Sequence, residues 1–122
     1  MKYFEWIEAL SDIYLEDSYV LEIRERASEV EFEMEFVLRP GHVLYKEPAK
    51  DERYCYRRGV LRLSNCTDVQ FDRSSTVSFD ANNEIDLGNI YIFDREGDRI
   101  SMSGDWGKLS LISDEVMVFI AL

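Results

Sequence analysis

The feature that most constrains this chain is a stretch of strict alternation between apolar residues and glutamates. Between Ser28 and Leu38 the two sets are Val30, Phe32, Met34, Phe36 and Leu38, and Glu29, Glu31, Glu33 and Glu35. A helix turns by about 100° per residue and would scatter both sets around its axis, whereas a strand separates them onto opposite faces. We therefore predict a half-buried antiparallel strand with an apolar inner face and an acidic outer face.

Shorter patterns of the same kind recur along the chain. They predict strands at residues 18–24, 54–63, 67–71, 76–79, 89–93, 99–103, 108–113 and 116–120. In the first of these we expect Tyr19, Leu21 and Ile23 to share one face. The turn residues Arg39-Pro40-Gly41 end the alternating strand, and Glu96-Gly97 indicates a hairpin. Gly59 lies inside a predicted strand and indicates a bulge or a close approach of backbone.

The amino-terminal residues have a different period. Tyr3, Ile7 and Leu10, with Trp6 beside them, have helical spacing and predict one short amphipathic helix. About eight or nine short strands after it are typical of an all-β protein, either an antiparallel sandwich or a partly open barrel. The 122 residues fit one domain, 1–122.

Composition excludes several classes of protein. A net charge of −11 disfavours a broad surface for nucleic-acid phosphates. No apolar run is long enough to span a membrane, and acidic residues follow the initial Met1-Lys2 where a signal peptide is apolar. We therefore expect a cytoplasmic protein, with Cys55 and Cys66 reduced and buried rather than joined in a disulfide.

Motifs for catalysis or cofactor binding are weak. His42, the only histidine, has no neighbouring nucleophile, so we interpret it as a loop residue with local hydrogen bonds. The segment Asp80–Asp86 resembles the start of a calcium loop, but Ile85 occupies the place of the turn glycine. No glycine-rich phosphate-binding motif occurs. We expect no enzymatic activity, no cofactor and no metal site.

Charge is unevenly distributed along the chain. The net charge is −8 over residues 1–38, +3 over 39–73 and −6 over 74–122. One interpretation is that Arg57, Arg58 or Arg62 faces the row of glutamates across the sheet and neutralises it. The alternative is that the glutamates form an exposed acidic surface for a basic partner.

Three short motifs resemble small bacterial all-β proteins of the type that confer immunity to polymorphic toxins. These motifs are Asp17-Ser18-Tyr19-Val20-Leu21, Asp86-Leu87-Gly88-Asn89-Ile90 and Ser103-Gly104-Asp105-Trp106-Gly107-Lys108-Leu109. The resemblance covers about a third of the chain. It implies a cytoplasmic, non-catalytic protein that binds and blocks one toxin domain.

The leading hypothesis is an acidic binding protein that occludes a basic protein partner through surface residues Glu31, Glu33, Glu35 and Trp106. A second hypothesis is a β-barrel that binds a small anion at a mouth lined by Tyr54, Tyr56, Arg57 and Arg58. A third is a structural homo-oligomer that forms through exposed edge strands.

Overall fold

The computed structural model describes residues 3–74, 78–79 and 85–121. Eight of its strands form two antiparallel sheets of four, and a short strand pair stands apart from them. The strands are β1 (Tyr19–Arg26), β2 (Glu29–Leu38), β3 (Cys55–Ser64), β4 (Thr67–Arg73), β5 (Ser78–Phe79), β6 (Ile85–Asp86), β7 (Ile90–Glu96), β8 (Arg99–Gly104), β9 (Gly107–Ile112) and β10 (Glu115–Ile120).

The two sheets face each other across one hydrophobic core. The first sheet has the strand order β1-β2-β3-β10, and the second has the order β4-β9-β8-β7. Neither sheet closes on the other within the described part of the chain, so the architecture is a sandwich and not a closed barrel. The all-β antiparallel prediction is confirmed. Of the predicted strand at 76–79, residues 78–79 form β5 and residues 76–77 lie outside the described residues. Of the segment Asp80–Asp86, only residues 85–86 are described, and they form β6.

Strand β2 supplies the centre of the core, as its alternation predicts. Phe32, Met34 and Phe36 are fully buried, and Val30 and Leu38 are nearly so. The strand is joined to β1 by a tight turn in which Arg26 pairs with Glu29. Sequence alternation therefore identifies the inner face of this strand correctly.

Strand β1 departs from its predicted alternation. Its pairing with β2 shifts register between Val20 and Glu22, so one extra residue is accommodated there as a bulge. Val20 and Ile23 are buried, whereas Tyr19 is 44% exposed. The expectation that Tyr19 shares a face with Ile23 is wrong, because the bulge moves the residues on its two sides out of phase.

The amino-terminal helix is shorter than predicted. One α-helical turn, α1 (Tyr3–Trp6), is followed by a 3₁₀ turn at Glu8–Leu10, and Ile7 between them is extended, with φ −121° and ψ 97°. Tyr3, Ile7 and Leu10 are nonetheless buried. So short a helix gains little from its own hydrogen bonds, and burial of its apolar side chains decides its conformation.

Trp106 lies in the core and joins the sheets. It belongs to the turn between β8 and β9, where Gly104 pairs with Gly107. Its indole meets Phe32 of β2 edge-on, with ring centroids 5.1 Å apart, and Phe71 of β4 in the same way at 5.8 Å. Only 4% of Trp106 is exposed. The expectation that Trp106 lies at the surface is therefore wrong.

The other local predictions are confirmed. Gly97, with φ +64°, forms a tight hairpin in which Glu96 pairs with Arg99. Cys55 and Cys66 are free thiols and both are buried. Burial raises the pKa of the Cys66 thiol, which favours its protonated form.

Gly59 lies where β3 is confined between its two neighbours. A Cβ at this position would overlap the backbone oxygen of Phe119 in β10 and lie 2.8 Å from Cε2 of Phe36 in β2. The sequence interpretation of a close backbone approach is confirmed.

We expect Gly59→Ala to destabilise the protein by roughly 1–3 kcal/mol or more, because the backbone of β10 must move to admit the methyl group. Gly41→Ala is the matched control, since its Cβ would meet only the flexible carboxylate of Asp12, at 3.0 Å. We expect the control to change stability by less than about 1 kcal/mol. Urea unfolding of both variants measures the difference, and equal midpoints would contradict the close approach.

Tyr3 holds the amino-terminal segment through its hydroxyl group. The hydroxyl oxygen accepts a hydrogen bond from the N–H of Leu15 at 2.9 Å and lies 2.9 Å from Oε2 of Glu16. Burial, opposed by the Leu15 N–H and assisted by Glu16, raises the pKa of Tyr3 from 10.0 to about 12. The folded state therefore favours the neutral phenol.

This raised pKa makes a stabilising contribution that is complete below pH 10.0 and disappears as the pH rises to about 12. We expect Tyr3→Phe to be less stable than wild type near neutral pH by roughly 1–2 kcal/mol, because the hydrogen bond to Leu15 is lost. The difference should shrink with rising pH across this window, in denaturant unfolding measured at each pH. A constant difference would contradict the assignment.

Candidate functional site

The outer face of the first sheet carries most of the residues that the sequence singles out. Strand register places Glu31 of β2 between Arg24 of β1 and Arg62 of β3. Glu35 lies in the same way between Tyr19 and Arg58. The four glutamates of β2 therefore have different neighbours, although their spacing in the sequence is uniform.

Glu31 is the centre of a buried ion-pair cluster. Its side chain accepts hydrogen bonds from Nε of Arg62 at 2.8 Å and from Nε of Arg24 at 3.3 Å. Arg26 lies 4.0 Å away. Burial alone raises the pKa of Glu31, but the hydrogen bonds from Arg62 and Arg24 outweigh it, and the net pKa is lowered. The carboxylate stays charged at neutral pH.

This cluster corrects one prediction and confirms another. Glu31 is only 4% exposed, so it is not part of an exposed acidic surface. The alternative interpretation, that a basic residue of the middle segment neutralises the glutamates across the sheet, holds for Arg62. Within the described residues, Arg57 and Arg58 form no ion pair with β2.

Glu33 and Glu35 remain accessible on this face. Glu33 lies 3.5 Å from Nη1 of Arg24, and its side chain is 37% exposed. Glu35 is half-buried and forms no ion pair with any residue that the structure describes. Both carboxylates are therefore available to a ligand or partner.

Tyrosines cluster at the end of the sheet next to Glu35. The rings of Tyr19 and Tyr56 are stacked with centroids 6.2 Å apart, and Tyr54 meets Tyr56 edge-on at 6.1 Å. The hydroxyl of Tyr54 donates a hydrogen bond to Oδ2 of Asp17 at 3.0 Å. That bond, together with burial, raises the pKa of Tyr54. The rings are held in place by one another and by this carboxylate.

The structure thus joins two sites that the sequence treats as separate. Tyr19 pairs with Glu35, and Val37 pairs with Tyr56, so the tyrosine cluster continues directly into the accessible glutamates. We call this area the tyrosine–glutamate surface. It comprises Tyr14, Tyr19, Tyr54, Tyr56, Glu33 and Glu35.

Tyr14 and Tyr19 were missed by sequence analysis. Tyr14 is 39% exposed and lies under the guanidinium of Arg39, 4.9 Å from ring centroid to Cζ. Sequence alternation predicts that Tyr19 shares a face with Ile23, because the bulge in β1 has no sequence signal. The concentration of tyrosines between residues 14 and 56 was the only available indication.

The four residues proposed for anion binding do not converge. Arg57 and Arg58 are adjacent in β3 and therefore point to opposite faces of the sheet. Nη1 of Arg57 lies 3.5 Å from the carbonyl oxygen of Ala121, whereas Arg58 is exposed on the outer face. Tyr56 and Arg58 share the outer face with Tyr54, and Arg57 is separated from them. A nearby groove of about 260 Å³ is lined by Tyr14, Tyr54 and Arg53, with apolar residues behind them.

Nδ1 of His42 accepts a hydrogen bond from the N–H of Leu44 at 3.1 Å, which confirms its local role. Residues 3–74, 78–79 and 85–121 contain no cluster of three or more potential metal ligands. No helix in these ranges has the length and apolar character needed to cross a membrane.

Comparisons with protein-family models, curated protein sequences and solved structures find no match to this chain. The functional argument therefore depends on the geometry of the tyrosine–glutamate surface itself.

Because of the buried ion-pair cluster, Glu31 and Glu33 contribute unequally to the stability of the fold, although they lie on the same face of one strand. We expect Glu31→Gln to lower stability by about 2 kcal/mol, because charge-assisted hydrogen bonds from two arginines are lost. Glu33→Gln is the matched control and should cost less than about 0.5 kcal/mol.

The difference in stability between Glu31→Gln and Glu33→Gln should depend on pH. Since the pKa of Glu31 is lowered in the fold, its stabilising contribution is complete above the unfolded pKa of about 4.3 and is lost as the pH falls below it. The two variants should therefore converge in acid. Thermal or urea unfolding of both variants at neutral and acidic pH measures this, and equal stability at neutral pH would contradict the cluster.

Proposed function

We propose that this chain is a non-catalytic, cytoplasmic binding protein that occludes a basic protein partner through the tyrosine–glutamate surface. The observation that carries the proposal is the placement of Tyr19 and Tyr56 beside the carboxylate of Glu35, which has no ion-pair partner among the described residues. Aromatic anchors and accessible carboxylates therefore occupy the same rigid sheet.

The tyrosines suit protein recognition for energetic reasons. A tyrosine offers a large contact area and a hydroxyl group, and it has few rotamers to lose on binding. Here the ring contacts of Tyr56, stacked on Tyr19 and edge-on to Tyr54, already restrict those rotamers. Less conformational entropy is then lost when a partner binds, so more of the contact energy contributes to affinity.

Charge favours a basic partner. The chain carries a net charge of −11, which attracts a cationic protein over a distance comparable to the screening length. Glu33 and Glu35 would then make the short-range contacts, because Glu31 is buried and already neutralised by arginines. Glu33 has one longer contact, 3.5 Å from Arg24, and stays partly exposed. The net negative charge of the whole protein would speed association with a basic partner. The two carboxylates of Glu33 and Glu35 would add specificity.

The resemblance to toxin-immunity proteins supports a more specific form of the proposal. A protein of that class binds a toxin domain and blocks its active surface without catalysis. A basic toxin such as a nuclease is the kind of partner that an acidic surface with aromatic anchors would recognise.

The test uses a purified partner from the native host and two sets of variants. Proteins retained by the immobilised wild-type chain are purified, and their association and dissociation are measured by stopped flow. We expect Tyr19→Ala/Tyr56→Ala to weaken binding at least about tenfold, mainly through faster dissociation. Glu33→Gln/Glu35→Gln should slow association at about 0.01 M salt and have little effect at about 0.15 M, where charges are screened.

Tyr91→Ala is the control, because Tyr91 is 58% exposed and lies on β7 in the opposite sheet. It should leave binding unchanged, and thermal unfolding should show that every variant is folded. A partner that binds the double tyrosine variant and wild type equally well would contradict the proposal.

A further inference from the structure

The two sheets present four edge strands, and three of them carry features that prevent pairing with another chain. Strands β1, β4 and β7 each contain a register shift, at Val20/Glu22, Thr67/Gln70 and Ile90/Ile92. Each also bears several charged residues. Bulges and charges on an edge strand are the usual protection against edge-to-edge association.

Strand β10 has neither feature. It pairs with β3 in continuous register from Glu115 to Ile120. After Glu115 every residue is apolar, in the order Val-Met-Val-Phe-Ile, and there is no proline or lysine. Phe119 is 47% exposed, and the other apolar residues of the strand are half-buried. Such an edge is a ready template for another strand.

The backbone of β10 has unused hydrogen-bonding groups on its open side. The N–H of Ala121 donates to the carbonyl oxygen of Arg58 at 2.8 Å, which places Ala121 among the residues bonded to β3. Because bonding alternates along an antiparallel strand, Val116, Val118 and Ile120 direct their N–H and C=O groups away from β3. In the described part of the chain no strand lies on that side of β10.

We propose that two copies of this chain pair through β10, antiparallel across a two-fold axis at Val118, and so join two four-stranded sheets into one of eight strands. In this register Val116 lies opposite Ile120 of the second copy. Met117 lies opposite Phe119 of the second copy, and its side chain covers the exposed ring of that Phe119. The open N–H and C=O groups of β10 then have partners.

Charge complementarity favours a second copy as the occupant. The register places Glu115 of one copy beside Ala121 of the other, and Ala121 pairs with Arg58 in the neighbouring strand. Glu115 of one copy and Arg58 of the other point to the same outer face of the joined sheet. The side chain of Ala121 between them is small, so the carboxylate and the guanidinium can meet above that residue. Arg58 forms no ion pair within the described residues, so this contact would give it one.

Repulsion between like charges is limited in this arrangement. The two Glu115 residues lie at opposite ends of the paired strands, about 20 Å apart at about 3.4 Å per residue. That separation exceeds the screening length of about 8 Å at physiological salt, so repulsion between these two carboxylates is largely screened.

The structure also offers space for the second copy. A groove of about 380 Å³ lies at the beginning of β10, and its walls combine Trp6, Ile7 and Val116 with the charged residues Glu8, Arg95 and Asp114. The register places the side chain of Ile120 from the second copy beside Val116, at the mouth of this groove.

The first experiment measures oligomeric state by sedimentation velocity over about 1 to 100 µM, the range in which mass action separates monomer from dimer. We expect a dimer for wild type. Phe119→Lys should weaken the dimer roughly a hundredfold or more, because each dimer loses two apolar contacts and gains two charges at the edge. Ile92→Lys is the matched control, since Ile92 is also 47% exposed but lies on β7, and it should leave the dimer intact.

The second experiment is a charge exchange. Glu115→Arg and Arg58→Glu should each weaken the dimer, and the double variant should restore it. The two residues lie six pairs apart along the β3–β10 ladder, about 20 Å, so rescue cannot arise within one copy.

Three outcomes would overturn the proposal. These are a monomer throughout the concentration range, a Phe119→Lys variant that is folded and still dimeric, or a double charge exchange that fails to restore the dimer. Circular dichroism establishes the folding of each variant. None of these outcomes bears on the tyrosine–glutamate surface, whose test uses a different partner and different residues.

Discussion

The contact on which the rest of the structure depends is the packing of Trp106 between the sheets. Its ring meets Phe32 from the first sheet and Phe71 from the second, and almost none of it is exposed. Aromatic residues of this size dominate the energetics of a small core. Because Phe32 must point inward to reach Trp106, the alternate residues of β2 must point outward, which decides where the glutamates lie.

The outward face of β2 then has to accommodate several like charges in one row. Three arginines, Arg24, Arg26 and Arg62, gather around Glu31, and this offsets the cost of burying its carboxylate. Toward the other end of the strand the neighbours are tyrosines, and Glu35 remains unpaired within the described residues. One strand therefore contributes a structural ion-pair cluster at one end and an accessible surface at the other.

The strands and the core could be predicted from the sequence because they depend on local periodicity. The alternation in β2 identified its buried residues, and Pro40 and Gly41 marked its end. Local periodicity predicts less of the candidate site. A bulge at Leu21 reverses the face of Tyr19, and only strand register brings Tyr56 beside it. Neither event has a local sequence signal, because both depend on which strands become neighbours.

The sequence by itself determined the class of fold, the inner face of β2, the tight turns and the strongly acidic charge. These follow from steric and hydrophobic preferences that act between residues close together in the chain. In the described part of the chain, the tertiary structure decided that Trp106 is buried, that Glu31 has ion-pair partners while Glu35 has none, and that β10 is an edge strand. Those outcomes depend on strand order and on packing between sheets, where contacts join residues far apart in sequence, and local periodicity carries no information about such contacts.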